Sequence, residues 1–492
     1  MRFSSEVVEG FADASRDFSP LHISESYART TPFGQRVAQG ACAVLACCGS
    51  FTPPSDRAPF TLRAVFHKPL FLNLDYELRL LETSAESAHV SLMDGSAQAM
   101  DVIFDYRPGA PPLVTLPGSP AAPLSSARIV SEADVTGTWT TEGCYSPSAT
   151  NYLALLGMLG IRRAAWGDAL PIALLATSYL TGMEMPGERA LYYRLRAEFP
   201  GGPGELPATF HQELIGYDRR WGMVKSRFQL SNGSSVWSSG EIQAFLRPPR
   251  PGIAPLVGAL APLVAARFAS RIALIVGASR GFGSSLALTL AAAGATVIAL
   301  YAHSSDDADR LREAAENLPG QILPVRGDAT DPAICREIRS QVLAAHGRLD
   351  WLICSAAPPL QPLRVEPAAF ERIDGFLRNG FELTLAPLTS FLDLLSDSGG
   401  SVLVVSSIAV EEPPAIWPHY VALKCAIEGL TRVAAAEYPK VSFCIARPTK
   451  LKTDLVNTPM GRMKAEDPSA AALRILSEAA AAGRPGKVCY LK

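Results

Sequence analysis

The chain has 492 residues, too many for one ordinary core, which predicts roughly two to four domains. Apolar residues make up 48% and charged residues 19%, the composition of a globular protein. The formal net charge is −2 and no long run of Lys or Arg occurs, which argues against nucleic acid or an anionic membrane as the main partner.

The N-terminal "MRFSSEVVEGFADAS" lacks the basic-then-apolar layout of a secretory signal. No stretch reaches about 18 uninterrupted apolar residues, so no membrane span is expected. Nine cysteines are scattered without a CxxC pair, which predicts reduced thiols, a cytoplasmic location and no metal site. "RDFSPLHISESYA", residues 16–28, then sets Asp17 and His22 around a Ser-Pro turn. "GACAVLACC" reads as an apolar helix starting at Gly40, and "TLRAVFHKPL", "DYELRLLETS", "AHVSLMD" and "QAMDVIFDYR" read as half-buried antiparallel strands. A proline-rich stretch over 107–123 marks a linker. The order then repeats: "ATNYLALLGMLGI" is the expected helix, followed by "ALYYRLRAEF", "ATFHQELIGYD", "GMVKSRFQLS" and "SVWSSGEIQAFLR". A helix and a meander occurring twice predict a duplicated α+β unit. "RPPRPGIAP" at 247–255 marks a second linker.

Beyond it the rhythm changes. "RIALIVGAS", "TVIALYA", "LDWLICSAA", "GSVLVVSSI" and "VSFCIARP" are short apolar runs separated by helical stretches, the pattern of a doubly wound parallel α/β sheet. The first run enters "GASRGFG", Gly277 to Gly283, directly before a helical stretch. Glycines there allow a tight turn and let the backbone approach a pyrophosphate at a helix N-terminus. Further on, Tyr420 and Lys424 stand four apart, on one helical face, and Ser407 lies thirteen residues before Tyr420 at the end of a buried run. A lysine ammonium beside a phenol would favour its ionised form and make the tyrosine a usable acid near neutrality.

Over about residues 270–460 this region resembles the short-chain dehydrogenases/reductases. The resemblance implies a Rossmann fold in which Tyr420 protonates a substrate carbonyl, Lys424 holds the nicotinamide ribose, and Ser407 positions the carbonyl. It further implies dinucleotide contacts from Gly277, Ser279, Arg280, Gly281, Phe282 and Gly283. Asp328 with Ala329 would contact adenine; Ala356, Pro448 and Thr453 would line the nicotinamide end. The sequence departs from the family at Cys354-Ser355-Ala356-Ala357, where Asn-Asn-Ala-Gly is usual, and at Pro448-Thr449 for Pro-Gly. For the proton-relay asparagine, Leu377 stands at the expected spacing and Asn379 two residues later. NAD-specific sites put an acid at the end of the second strand. Here Ala302, His303 and Ser304 stand there, no acid comes before Asp306, and Arg280 can reach a 2′-phosphate, so NADPH is the expected cofactor.

The opening stretch resembles the MaoC-like, (R)-specific enoyl-thioester hydratases: Asp17, Pro20, Leu21, His22 and Ala28 fit that motif. Arg16 replaces a glycine and Ser19 an asparagine, and Gln39 stands for the histidine of an Ala-His-Gly segment. The resemblance implies a hot dog fold, a helix wrapped by an antiparallel sheet. Water elimination from a 3-hydroxyacyl thioester needs a base for the α-proton and an acid for the departing hydroxyl. Asp17 and His22 can divide these roles, in an order the sequence leaves open, while the Gly40 N–H can meet developing charge on the thioester oxygen. Residues 124–247 lack the pair and read as a degenerate second hot dog.

The expected architecture is therefore a double hot dog, residues 1–107 and 124–247, a linker at 248–269, and a Rossmann domain at 270–492. The two chemistries share an intermediate, which points to a ketoacyl reductase fused to a hydroxyacyl dehydratase of fatty-acyl or polyketide synthesis. The acyl group would ride on coenzyme A or on a carrier protein supplied in trans, since no phosphopantetheine serine motif is present. The alternative is the reverse pair, enoyl-CoA hydration and hydroxyacyl oxidation in fatty-acid breakdown. Assembly as a dimer or tetramer is the reductase family's habit.

Overall fold

A computed structural model describes residues 1–116, 126–200, 206–256 and 258–492. Residues 117–123 of the proline-rich stretch read as the first linker lie outside the described residues. The chain divides into two compact units, Met1–Pro249 with Thr458–Met460, and Arg250–Asn457 with Gly461–Lys492.

In the first unit, helix α1 (Ser5–Ser15) starts where the Ser4 hydroxyl accepts from the Val7 N–H, satisfying one of the free donors of the first turn. It stops at Arg16, whose backbone is left-handed at φ 67° and whose N–H donates to the Ala12 carbonyl. That conformation favours glycine, and it is the position where the hydratase motif has one. The cap delivers Asp17 to the interior. Helix α2 (Gly40–Cys48) follows, buried at every residue from Ala41 to Cys48.

Strands β1 (Arg57–Phe66), β2 (Glu77–Thr83), β3 (Ser87–Asp94) and β4 (Ala97–Pro108) come next. The second half supplies helix α3 (Ala149–Met158), helix α4 (Ala169–Tyr179), and strands β5 (Thr140–Tyr145), β6 (Ala190–Glu198), β7 (Ala208–Asp218), β8 (Met223–Asn232) and β9 (Ser235–Leu246). All nine strands form one sheet in the order β2-β3-β4-β1-β6-β9-β8-β7-β5. The halves mirror each other about the β1–β6 seam, where Leu62 faces Ala197 and Ala64 faces Leu195 in antiparallel register. Alternation sends Leu62, Ala64 and Phe66 inward and Arg63 outward, as a sheet with one buried face requires.

The helix expected for the second half is corrected by this arrangement. Residues 149–158 do form a helix, but it packs on α1. The partner of α2 is α4, buried from Ala169 to Ser178 and packed against it beneath the sheet. Together the two supply much of a core that also takes in Phe104, Trp166, Phe228 and Trp237. Each such large side chain stabilises the fold by roughly 1.5–3 kcal/mol when fully buried.

In the second unit, β10 (Ile272–Val276), β11 (Thr296–Tyr301), β12 (Gln321–Arg326), β13 (Trp351–Cys354), β14 (Ser401–Val405), β15 (Ser442–Ala446) and β16 (Val488–Leu491) form a parallel sheet. Its order is β12-β11-β10-β13-β14-β15-β16. Strands β10, β13 and β15 are buried at every residue, which accounts for their uninterrupted apolar sequences. Helices α5 (Gly281–Ala292) and α10 (Pro468–Ala482) cover one face. The other carries α7 (Pro332–His346), α8 (Phe370–Ser398) and α9 (Pro418–Glu437), while α6 (Ser305–Ala314) follows β11. The segment read as a linker over 248–269 packs Ile253, Leu256, Leu260 and Val264 against the α5/α10 core. Among the described residues no helix is long and apolar enough to cross a membrane.

Candidate active sites

In the first unit the α1 cap and the single helical turn Pro20–Ile23 carry Asp17 and His22 into one cavity of about 190 Å³. Asp17 is 2% exposed. Its Oδ2 accepts from the Ser178 hydroxyl at 2.6 Å and its Oδ1 from the Ser19 N–H at 3.1 Å. The serine that replaces the motif's asparagine thus shapes the turn through its backbone. Gly182, in the wide turn Leu180–Glu184 that ends α4, lies flat against the carboxyl: a Cβ there would stand 2.9 Å from Asp17 Cγ.

His22 Nδ1 lies 2.8 Å from the Val37 carbonyl oxygen. A carbonyl only accepts, so Nδ1 carries the proton and Nε2 keeps its lone pair. The Arg36 guanidinium donates to the His22 carbonyl and pairs with Glu9 at 3.0 Å, which holds the turn in place. Burial pushes the Asp17 carboxyl above its ordinary value, and the imidazole and the Ser178 hydrogen bond oppose this. Burial pulls His22 below its ordinary value, against the attraction of Asp17. Both directions favour the uncharged pair, a carboxyl that can donate and an imidazole that can accept.

The same cavity reaches the N-terminus of α2. Gly40 lines it, and the Phe66 ring fills the space a side chain at 40 would need, 2.9 Å from such a Cβ at Phe66 Cζ. The helix has no side-chain cap. Gln39 is 1% exposed; its amide nitrogen donates to the Val8 carbonyl, and its Oε1 has no partner. Ser178 and Gly182 were not foreseen from sequence. They lie about 160 residues beyond Asp17, and only the pairing of the two halves reveals them.

In the second unit the expected residues gather at the carboxyl ends of the parallel strands, where such sheets bind ligands. Gly277 (φ 81°) and Gly281 (φ 59°) turn the chain from β10 into α5. A Cβ on Gly277 would lie 2.8 Å from the Ala356 Cα, and one on Gly281 would lie 3.5 Å from Thr453 Cγ2. Gly283 packs directly on the Gly277 and Ala278 backbone. Ser279 and Phe282 are buried beside the turn. This bare backbone at a helix start fits a dinucleotide pyrophosphate.

His303 is exposed at the end of β11, and Ser304 is the residue before α6. Asp307, buried there, is held by Arg250 at 2.7 Å and Arg310 at 3.6 Å, while Asp306 beside it is exposed. Arg280 is 3.6 Å from Asp454, which Arg250 also approaches at 3.4 Å. The arginine expected to reach a 2′-phosphate therefore shares a carboxylate, a feature of folding that its sequence neighbours do not show. Asp328 is exposed, and its Oδ1 accepts from the Thr330 N–H and hydroxyl; Ala329 is buried. Pro448 is buried, and its carbonyl accepts from the Ile408 N–H.

Ser407 lies two residues past β14 and accepts from the Ala409 N–H; Tyr420 and Lys424 approach from α9. The Lys424 ammonium donates to the Val405 carbonyl at 2.8 Å and lies 5.6 Å from the Tyr420 ring centre. Burial lowers Lys424 to about 8. The expected depression of Tyr420 is corrected: burial raises its phenol, and the Ser407 hydroxyl opposes this. Of the two relay positions, Leu377 packs into the α8/α9 core and Asn379 is exposed.

A Rossmann sheet with a glycine turn and a serine-tyrosine-lysine set defines a nicotinamide-dependent oxidoreductase class. The short chain dehydrogenase model matches residues 271–464. An uncharacterized short-chain type dehydrogenase/reductase of Sinorhizobium fredii is 31% identical over 199 residues, covering 38% of this chain and 76% of that protein. The chain belongs to the short-chain dehydrogenase family. It is also similar to a fatty acyl-CoA reductase of Acinetobacter baylyi, 30% identical over 194 residues, covering 39% of this chain and 64% of that one. The 3-oxoacyl-(acyl-carrier-protein) reductase FabG of Thermotoga maritima is 29% identical over 174 residues, covering 35% of this chain and 69% of its own. The chain thus spans just under two thirds of the Acinetobacter protein's length.

Proposed function

We propose that the chain is a bifunctional NADPH-dependent 3-ketoacyl-thioester reductase and 3-hydroxyacyl-thioester dehydratase. The first unit is read as a double hot dog whose working site lies in its N-terminal half. The observation that carries this reading is the meeting of the buried Asp17 and the half-buried His22 in one cavity with the uncapped N-terminus of α2.

In the reduction, a bound nicotinamide supplies the hydride. Tyr420 gives its phenolic proton to the ketone oxygen, Ser407 holds that oxygen, and the nearby Lys424 stabilises the phenolate left behind. The non-acidic Ala302, His303 and Ser304 at the end of β11 and the pairing of Asp307 with Arg250 support NADPH over NADH. In the dehydration, His22 Nε2 removes the α-proton, Asp17 protonates the departing hydroxyl, and water leaves. The Gly40 N–H steadies the charge that develops on the thioester oxygen. The raised Asp17 and lowered His22 support this order of acid and base.

The substrate is a 3-hydroxyacyl thioester of coenzyme A or of a separate carrier protein. The test separates the halves. Tyr420→Phe is expected to abolish acetoacetyl-thioester reduction with NADPH and to leave crotonyl-thioester hydration intact, and His22→Ala to do the reverse. Loss of both activities in either variant would refute two independent sites.

A further inference from the structure

We propose that Cys444 and Cys489 form a reversible dithiol–disulfide pair at the edge of the reductase sheet. They are direct register partners on the adjacent parallel strands β15 and β16, so both side chains leave the sheet on the same face. Their sulfurs lie in contact at 2.7 Å. Neighbouring strands are about 4.7–4.9 Å apart, within the Cα spacing a disulfide spans. Bridging them requires the two sulfurs to close from 2.7 Å to bonding distance, about 2.05 Å.

Access and reactivity differ usefully between the two. Cys444 is buried in the α5/α10 core, whereas Cys489 is half-exposed on the last strand. Either thiol can donate to the other. The half-exposed Cys489 is the sulfur that meets an oxidant, and the buried Cys444 is the resolving thiol beside it. Of the other cysteines, Cys144 and Cys425 are exposed, and Cys42, Cys47, Cys48, Cys335 and Cys354 are buried. Among the described residues no other pair has its sulfurs in contact.

The oxidant is a hydroperoxide. The Cys489 thiolate attacks one peroxide oxygen; an S–O bond forms, the O–O bond breaks, and the leaving oxygen takes a proton to become water when the oxidant is hydrogen peroxide. Cys444 then attacks the sulfenic sulfur; the S–S bond forms, the S–O bond breaks, and a second water leaves with the Cys444 proton. A small dithiol reverses the reaction by exchange. The bond closes a loop between positions 45 apart and pins the sheet's edge strand. That strand holds Arg447, whose N–H donates to the Leu491 carbonyl at 2.8 Å and whose guanidinium stacks on Tyr490. Arg447 directly precedes Pro448, where the chain runs on to Thr453.

The full chain, reduced and then treated with hydrogen peroxide, is alkylated with iodoacetamide and digested for mass spectrometry. The expected product is a Cys444–Cys489 linked peptide, abolished in Cys489→Ser and reversed by dithiothreitol, with a higher melting temperature for the oxidised wild type only. In Cys444→Ala, Cys489 is expected to stop at the sulfenic acid and to be trapped by dimedone. Full alkylation of both cysteines after peroxide would overturn the proposal. So would Cys489 recovered as a sulfinic acid, or linked to another chain.

Discussion

Gly182→Ala tests the first site through a residue that performs no chemistry. The added Cβ would sit 2.9 Å from Asp17 Cγ and 3.0 Å from its Oδ2. The carboxyl cannot swing aside freely, because Ser178 holds Oδ2 at 2.6 Å and the Ser19 N–H holds Oδ1 at 3.1 Å. Overpacking of this kind costs about 1–3 kcal/mol, so the fold should survive with a lowered melting temperature. Catalysis is more sensitive, since a displacement near 1 Å of a reacting group costs about 10²-fold. Hydration of crotonyl thioester, followed by loss of the enoyl absorbance, is therefore expected to fall by about two orders of magnitude. NADPH-dependent reduction by the same preparation should be unchanged and serves as the internal control. Wild-type hydration in Gly182→Ala would show that the position of Asp17 does not matter, and would refute the assignment.

Lys424→Met should stabilise the protein at pH 7 while abolishing reduction. The ordinary lysine value of 10.5 is lowered to about 8, equivalent to about 3 kcal/mol, from which loss of the Val405 hydrogen bond takes back about 1 kcal/mol. Between about pH 8 and 10.5 the unfolded wild type binds more protons than the folded, so its stability rises there; urea melts should show the variant without that rise. Gly277→Ala meets Ala356 and a φ of 81°, and should abolish NADPH binding in a fluorescence titration while crotonyl hydration persists.

The Rossmann unit was legible because its central strands are buried on both faces and so appear as unbroken apolar runs, such as Ile272–Val276. The glycine turn and Tyr420/Lys424 are local spacings, and folding leaves local spacings in place. The first unit was legible as repeated strands, but helix α4 was not. It is apolar all round, with no period to distinguish it, and the amphipathic stretch at 149–158 drew the assignment instead. Contacts made across the β1–β6 seam were hidden for another reason: Ser178 and Gly182 gain meaning only when the second half lies against the first. The Arg280–Asp454 pair likewise joins residues 174 positions apart, which no reading of the glycine turn alone supplies. Arg16 shows the opposite case: its left-handed φ of 67° suits the glycine of the motif, and nothing in the structure explains the arginine that stands there.

The most direct measurement follows acetoacetyl thioester and NADPH through the purified full chain by mass, without added enzymes. Two successive products are predicted, the 3-hydroxybutyryl thioester and then the crotonyl thioester, with Tyr420→Phe yielding neither. Accumulation of the hydroxy product with no enoyl species at equilibrium would remove the dehydratase from the account. No turnover of NADPH at all would remove the reductase.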